Sequence, residues 1–315
     1  MAKNVIVTGG LGFIGSNIAR HLSEDFNITI IDTPSMANIK NLWGVPYVLI
    51  RPEDKSRVTS LAELSAVIHM GAISSTTETD TQQILSSNID DSIWWKNFCL
   101  KRDIPLIYAS SASVYGDGAS GFEDDSNLEY MLKLKPLNLY SWSKHYIDCD
   151  FIRAGYFTSR APIYGLRFFN VYGESEDSKG NTASVLSQRR FDILKNNTIQ
   201  LFRSEKVPPH EASRDFVSVK LILQVISKIL NNEVSPDIYN IGTGVALTFT
   251  ELFEHAIQFA SSRSILQYIP IPDLLLPQYQ FFTQASVAKL TCAMPGLEPS
   301  NYKMYLQEYV TSWKS

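Results

Sequence analysis

A chain of 315 residues can bury a full core and is long enough to divide into two lobes, because single cores stop growing near about 250–300 residues. With 44% hydrophobic and 19% charged residues and a net charge of −4, it has the make-up of an ordinary soluble globular protein and lacks the basic footprint of a nucleic-acid binder. No apolar run approaches the ~20 residues of a membrane span and the N-terminus enters a strand-like run at once, so a cytoplasmic protein with no membrane and no nucleic-acid partner is expected.

The first half alternates β-branched runs with helical segments. "NVIVTGG", "NITIIDT", "VPYVLI", "SAVIHMGA" and "IPLIYASS" read as buried strands, separated by amphipathic stretches such as "IGSNIARHLSED" and "DDSIWWKNFCLKRD". This alternation predicts right-handed βαβ units, and so an α/β fold of Rossmann type: a doubly wound parallel sheet with helices on both faces. A sixth strand, "IYGLRFF", follows the helix that carries Tyr140.

After Gly173 the rhythm breaks. "GESEDSKGNTAS" reads as a polar loop, "VLSQRRFDILKNN" as a helix and "TIQLF" as a short strand. "DFVSVKLILQVISKIL" returns to a strand-to-helix pattern, "DIYNIGTG" reads as one more strand of the sheet, and the tail mixes helices with a Pro-rich "YIPIPDLLLPQYQ". The expected division is a dinucleotide-binding part over 1–171 and 214–246, with a smaller substrate lobe over 172–213 and 247–315 set against the sheet's carboxyl edge. Cys99, Cys149 and Cys292 are odd in number and dispersed, which predicts reduced thiols, and the five histidines show no metal-ligand spacing, so no metal is expected.

"VIVTGGLGFIGSNIA" puts Gly9, Gly12 and Gly15 between the first strand and the first helix. Glycines there make a tight turn, let backbone N–H groups approach a pyrophosphate and let helix pack on strand, while the helix N-terminus adds partial positive charge. Asp32 ends the second strand, 22 residues past Gly10, where a carboxylate accepts from both ribose hydroxyls of an adenosine and favours NAD. Lys40 in the following loop can offset the repulsion of a 2′-phosphate, so NAD and NADP both stay open.

"LNLYSWSKHYID" places Tyr140 and Lys144 four apart, one helical turn from each other on one face. Chance alone supplies about one such pair in a chain of this size, so its meaning depends on its neighbours. Those are Ser110, Ser111 and Ser113 of "IYASSASVYG", at the strand end where a doubly wound sheet holds its ligand. A tyrosine titrates near pH ~10, too high for a base at neutral pH. A neighbouring ammonium and an oxidised nicotinamide would lower that value and make a phenolate accessible.

These motifs resemble the extended short-chain dehydrogenase/reductase superfamily over essentially the whole chain. "RFFNVYG" and "RDFV" are further marks of its nucleotide-sugar epimerases and dehydratases, and "GAISSTTETD", "KPLNLYSWSK", "FFNVYGESEDSKGNTASV" and "IPIPDLLLPQYQFFTQA" resemble the ADP-L-glycero-D-manno-heptose 6-epimerases. The resemblance implies inversion of a sugar carbon (C6 of ADP-D-glycero-D-manno-heptose) by transient oxidation with tightly bound NAD or NADP, in a homo-oligomer. It implies Tyr140 and Lys179 as the two proton-transfer groups, Lys144 holding the nicotinamide ribose and tuning Tyr140, and Ser111 bonding the reacting oxygen. It places Phe13 and Ile14 at the pyrophosphate, with Thr33, Met70, Gly71, Ala72, Ile73, Ser74 and Val171 along the cofactor and Asn88 as a cofactor or strand-bridging residue. Ser74, Asn170, Asn181, Gln188, Phe202, Arg214 and Tyr279 fall to the nucleotide-sugar.

The chain departs from that family's pattern at Gln278, where an Arg is usual, at Gln188, where a His is usual, and at Leu221, where an Asp is usual; "LIRPEDKS" displaces the acid that often follows the third strand. Losing the Arg removes a fixed charge from a diphosphate clamp and leaves the nucleotide and sugar open. The alternatives are a 4-epimerase or 4,6-dehydratase of the same superfamily, or a non-catalytic dinucleotide-binding protein. The absence of a carboxylate in "SSASVYG" counts against dehydration.

Overall fold

The computed structural model describes residues 3–76, 78–204, 211–272 and 279–314. Its first half runs β1 (Lys3–Thr8), α1 (Phe13–Leu22), β2 (Phe26–Ile31), β3 (Val48–Ile50), β4 (Leu64–His69), α2 (Thr81–Ile84), α3 (Asp91–Arg102), β5 (Leu106–Ser111), α4 (Leu128–Met131), α5 (Leu139–Arg153) and β6 (Ile163–Phe168). The second half continues with β7 (Asn170–Tyr172), α6 (Val185–Leu194), β8 (Ile199–Arg203), β9 (Ser213–Ser218), α7 (Val219–Leu230), β10 (Ile238–Ile241), β11 (Ala246–Thr248), α8 (Phe249–Ala260), β12 (Leu266–Pro270), α9 (Ala288–Ala293) and α10 (Tyr302–Ser312).

Seven strands form one parallel sheet in the order β10-β6-β5-β4-β1-β2-β3. The strands are nearly continuous runs of Val and Ile because both faces are covered. On one face α1 and α7 bury Ile18, Leu22, Ile222 and Val225; on the other α3 and α5 bury Trp95, Phe98, Ile147 and Phe151. The strand order reverses between β1 and β4, and the crevice at that switch point is where an open α/β sheet binds its ligand. The sequence-based α/β expectation is met.

The second half differs in one respect. β9 does not join the large sheet; it pairs parallel with β7 and antiparallel with β11 in a separate three-stranded sheet. Of the segment 214–246 only α7 and β10 serve the large sheet. Phe216 and Leu247 instead share a third core with α6, α8 and α10. The polar loop after Gly173 also carries a 3₁₀ segment, Glu176–Thr182, that composition did not suggest.

One buried polar network fixes β5, β6 and α5 behind the crevice. Arg167 and Asp148 are both fully buried, and the Arg167 guanidinium donates from Nε to Asp148 at 2.8 Å and to the Tyr115 hydroxyl at 2.9 Å. Asp148 also accepts from the Tyr108 and Ser110 hydroxyls, each at 2.9 Å. Removing one partner of such a pair strands a buried charge, so Arg167→Met is expected to cost about 3–5 kcal/mol. Urea unfolding of the variant checks it, and a midpoint equal to the parent's would contradict it.

Candidate active site

A cleft of about 890 Å³ lies at the carboxyl ends of the central strands. It brings together Gly9, Gly12, Phe13, Ile14, Gly15, Asp32, Thr33, Met70, Gly71, Ala72, Ile73, Ser74, Ser111, Tyr140, Lys144, Asn170, Val171 and Lys179, all picked out from sequence. The glycines leave room that side chains would fill. Gly9 sits at φ +61°, where a Cβ would lie 2.7 Å from the Gly71 nitrogen, and a Cβ on Gly15 would lie 2.2 Å from the Gly9 carbonyl oxygen. Helix α1 then begins with Gly12 as its N-cap, with no side-chain cap and no acid in its first turn. Its uncapped N–H groups and dipole suit an anion.

Asp32 is oriented by backbone. Its carboxylate accepts from the N–H of Leu11 at 2.8 Å and of Thr33 at 2.7 Å. Burial raises its pKa while these bonds pull it down. A glycine cradle at a bare helix N-terminus, with an acid at the end of β2, fits a dinucleotide: the glycines and α1 would hold the pyrophosphate and Asp32 the adenosine ribose.

At the other end, the Asn138 side chain accepts from the Ser141 N–H at 2.9 Å and starts α5, which presents Tyr140 and Lys144 from its first two turns. Ser111 closes β5 and caps the following turn. Its Oγ accepts from the Ser113 hydroxyl at 2.9 Å and from the Ser113 N–H at 3.2 Å, which leaves its own proton for Tyr140, its hydrogen-bond partner. The capping and site roles of this serine therefore coexist.

Tyr140 has its pKa raised, first by burial, with the Ser111 hydrogen bond opposing and Asp148 adding to the rise. Burial pushes Lys144 down to about 8, with Asp148 opposing. Lys144 thus keeps its charge at neutral pH while sitting close to its limit.

Lys179 reaches the cleft from the 3₁₀ segment, its Nζ 5.7 Å from the centre of the Phe13 ring. Burial lowers its pKa and Glu176 raises it. Glu176 is itself buried, accepting from the Gly173 N–H and the Ser184 hydroxyl at 2.8 and 2.9 Å.

Other expected residues stay out of the cleft lining. Asn88 takes the bridging option: its amide accepts from the Ile73 N–H and donates to the Ile73 carbonyl and the Ser143 hydroxyl, which uses its capacity. Lys40 is exposed on a short 3₁₀ turn, Ile39–Leu42. The Gln188 amide donates to the Ala183 carbonyl at 2.8 Å, and Phe202 is exposed on β8. Arg214 is buried with its guanidinium 5.5 Å from the centre of the Tyr279 ring, and among the described residues no carboxylate forms an ion pair with it. Burial lowers its pKa to about 10. The Asn181 side chain and Gln278 lie outside the described residues.

Sequence reading missed several lining residues: Asn38, Pro52, Ser86, Ser87, Asp91, Thr182, Ser184 and Phe249. Thr182 and Ser184 lie in the "SKGNTAS" segment that drew attention to Lys179 and could have been included. The others arrive from loops and from helix starts, such as Asp91 of α3 and Phe249 of α8, whose spacing carries no signal.

Among the described residues, no helix is long and apolar enough to cross a membrane. Residues 5–242 match the family model of the NAD dependent epimerase/dehydratase family. Two curated relatives are similar end to end, both ADP-L-glycero-D-manno-heptose-6-epimerases: that of Fusobacterium nucleatum subsp. nucleatum is 35% identical over 97% of this chain and 98% of its own length. That of Nitratidesulfovibrio vulgaris is 36% identical over 97% and 96%. Among solved structures, the UDP-N-acetylglucosamine 4-epimerase from Methanobrevibacter ruminantium M1 superposes with a TM-score of 0.80 at 25% identity, covering 99% of this chain and 98% of that one. The Helicobacter pylori ADP-L-glycero-D-manno-heptose-6-epimerase superposes with a TM-score of 0.79 at 23% identity over 99% and 96%, a likeness of fold. With a glycine cradle, a Ser-Tyr-Lys set and full-length kinship all on one chain, the protein belongs to the NAD dependent epimerase/dehydratase family.

Proposed function

We propose that the protein is a nucleotide-sugar epimerase that inverts C6 of ADP-D-glycero-D-manno-heptose to give the L-glycero epimer. The observation that carries this reading is that one cleft is lined by Ser111 at the end of β5, by Tyr140 and Lys144 from the first two turns of α5 and by Lys179 from a separate segment. Inversion needs a proton acceptor and donor on each side of a carbon, and two independently mounted groups supply it. Full-length relatives that carry the epimerase name support the substrate.

NAD, when held by the glycine cradle and Asp32, would supply the hydride acceptor and donor for C6. The chain supplies the proton chemistry. Ser111 turns its single proton from Tyr140 to the reacting oxygen, Tyr140 as phenolate takes the hydroxyl proton on one face, and Lys144 offsets the negative charge of the phenolate. Lys179, as the ammonium, would give its proton to the oxygen when the hydride returns on the opposite face, and proton exchange with water would restore Tyr140 and Lys179. Arg214, buried against the Tyr279 ring and offering a planar fork of donors, suits the diphosphate. NADP and a homo-oligomeric, cytoplasmic setting belong to the same reading as proposals.

Proton NMR of the purified protein with ADP-D-glycero-D-manno-heptose, with the released cofactor identified by mass, tests the assignment. Inversion at C6 is expected. No reaction despite bound NAD or NADP would move the substrate to UDP-, GDP- or dTDP-sugars.

The pH dependence follows from Lys144. Its folded pKa lies at about 8, below the ordinary lysine value, so its charge is lost as pH rises through that value. The profile of kcat/KM is therefore expected to fall above pH about 8. Lys144→Met should be slow throughout and lack that basic limb. A limb unchanged in the variant would assign it to another group.

A further inference from the structure

Two buried asparagine amides join the glycine-rich loop to the segment that bears Lys179. Asn41 Nδ2 donates to the Leu11 carbonyl at 2.9 Å and to the Ser178 hydroxyl at 3.0 Å. Asn17 Nδ2 donates to the Phe13 carbonyl at 2.8 Å and to the Glu174 carbonyl at 2.8 Å. Each amide has two donors, and each spends one on the phosphate loop and one on the 174–178 stretch. Leu11 is held from both sides, since its N–H also donates to Asp32 at 2.8 Å. A continuous line of hydrogen bonds thus runs from Asp32 through Leu11 and Asn41 to Ser178, the residue before Lys179.

We propose that Asn41 and Asn17 are positioning residues that fix the Lys179 segment onto the glycine-rich loop, so that the backbone cradling the dinucleotide also sets the second proton-transfer group. The proposal rests on the role given to Lys179 above. Its physical basis is that the segment belongs to neither neighbour by itself. Ser175 sits at φ +67°, and Gly180 breaks the 3₁₀ geometry at φ +51°. What holds the stretch is Glu176 below it, an ion pair from Asp177 to Arg190 at 2.9 Å, and the two amides on the cofactor side. Among these, the amides are the hydrogen bonds that reach the crevice loop, beside the Lys179 side chain over the Phe13 ring. Acid–base transfer is sensitive to placement, and a shift of about 1 Å costs on the order of 100-fold.

The test uses Ser178→Ala, which removes the Asn41 acceptor and leaves the Asn41–Leu11 bond intact, together with Asn41→Ala. Both are expected to lower kcat roughly 10- to 100-fold, with KM and bound cofactor unchanged, while Ser178→Thr keeps the hydroxyl and recovers most of the rate. In a Lys179→Met background neither should add a further loss, because the effect passes through Lys179. Amide hydrogen exchange over residues 174–184 should be faster in both variants, whether or not a substrate is present.

Unchanged kcat and unchanged exchange beside an inactive Lys179→Met would overturn the tether and leave the base assignment standing. Losses that add to Lys179→Met, or that come with lost cofactor, would also overturn it, since the asparagines would then be supporting the loop alone. Normal inversion by Lys179→Met itself would instead overturn the base assignment on which the proposal rests.

Discussion

Tyr140→Phe is expected to lower kcat by roughly 10²- to 10⁴-fold, the usual worth of a positioned acid–base group, while the protein still purifies with its cofactor. Only the hydroxyl is lost. The ring stays on the first turn of α5, and the glycine cradle that would hold the dinucleotide lies on β1 and α1, away from the change. The Ser111 proton, aimed by two bonds from Ser113, would lose its partner and turn to the substrate. Because burial raises the pKa of Tyr140, the phenol holds its proton until positive charge gathers beside it. Lys144 is the charge the chain provides. NMR rates of C6 inversion, with cofactor content measured on the same sample, check the expectation. Retained inversion would refute Tyr140 as the base, and a rise in KM with kcat intact would reduce it to a binding group.

The main architecture was legible because parallel strands covered on both faces must be apolar throughout, and "NVIVTGG" or "SAVIHMGA" can be read no other way next to amphipathic helices. The cofactor crevice was legible for a different reason: its glycines and Asp32 follow one another along a single βαβ unit, so spacing in sequence becomes spacing in space. Tyr140 and Lys144 share this advantage, since a helix converts a four-residue interval into one face. The residues that escaped notice lack it. Asn17 and Asn41 read as ordinary polar positions, yet each ends up bridging to a segment more than 130 residues away: Asn17 to Glu174 is 157 positions and Asn41 to Ser178 is 137. For Asn88 the pattern left a cofactor contact and a bridging role open, and the bonds of its amide to Ile73 and Ser143, which make the bridge, cross 15 and 55 positions. Nor could pattern show that β9 would leave the large sheet, because a strand next to a helix looks the same whichever sheet it joins. The burial that raises the Tyr140 pKa was hidden as well, since burial is a tertiary property.

Lys179→Met should suppress inversion as strongly as Tyr140→Phe, by roughly 10²- to 10⁴-fold, and the comparison with Lys179→Arg makes the result interpretable. Methionine keeps an unbranched stem that can lie along the Phe13 ring; the cation–π contact it gives up is worth about 0.5–2 kcal/mol, too little to unfold the segment. Glu176, with its donors from Gly173 and Ser184, continues to hold the backbone. Arginine keeps the positive charge but does not give up its proton in a protein. If Lys179 only steadied an anionic substrate, Lys179→Arg would retain much of the rate while Lys179→Met lost it. If Lys179 moves a proton, both variants fail, with KM little changed. The lowered pKa of Lys179, set by burial against the pull of Glu176, is what a lysine needs in order to release a proton nearer to neutral pH. Normal inversion in Lys179→Met would leave Tyr140 as the sole base and require the sugar to turn within the cleft between removal and return of its hydride.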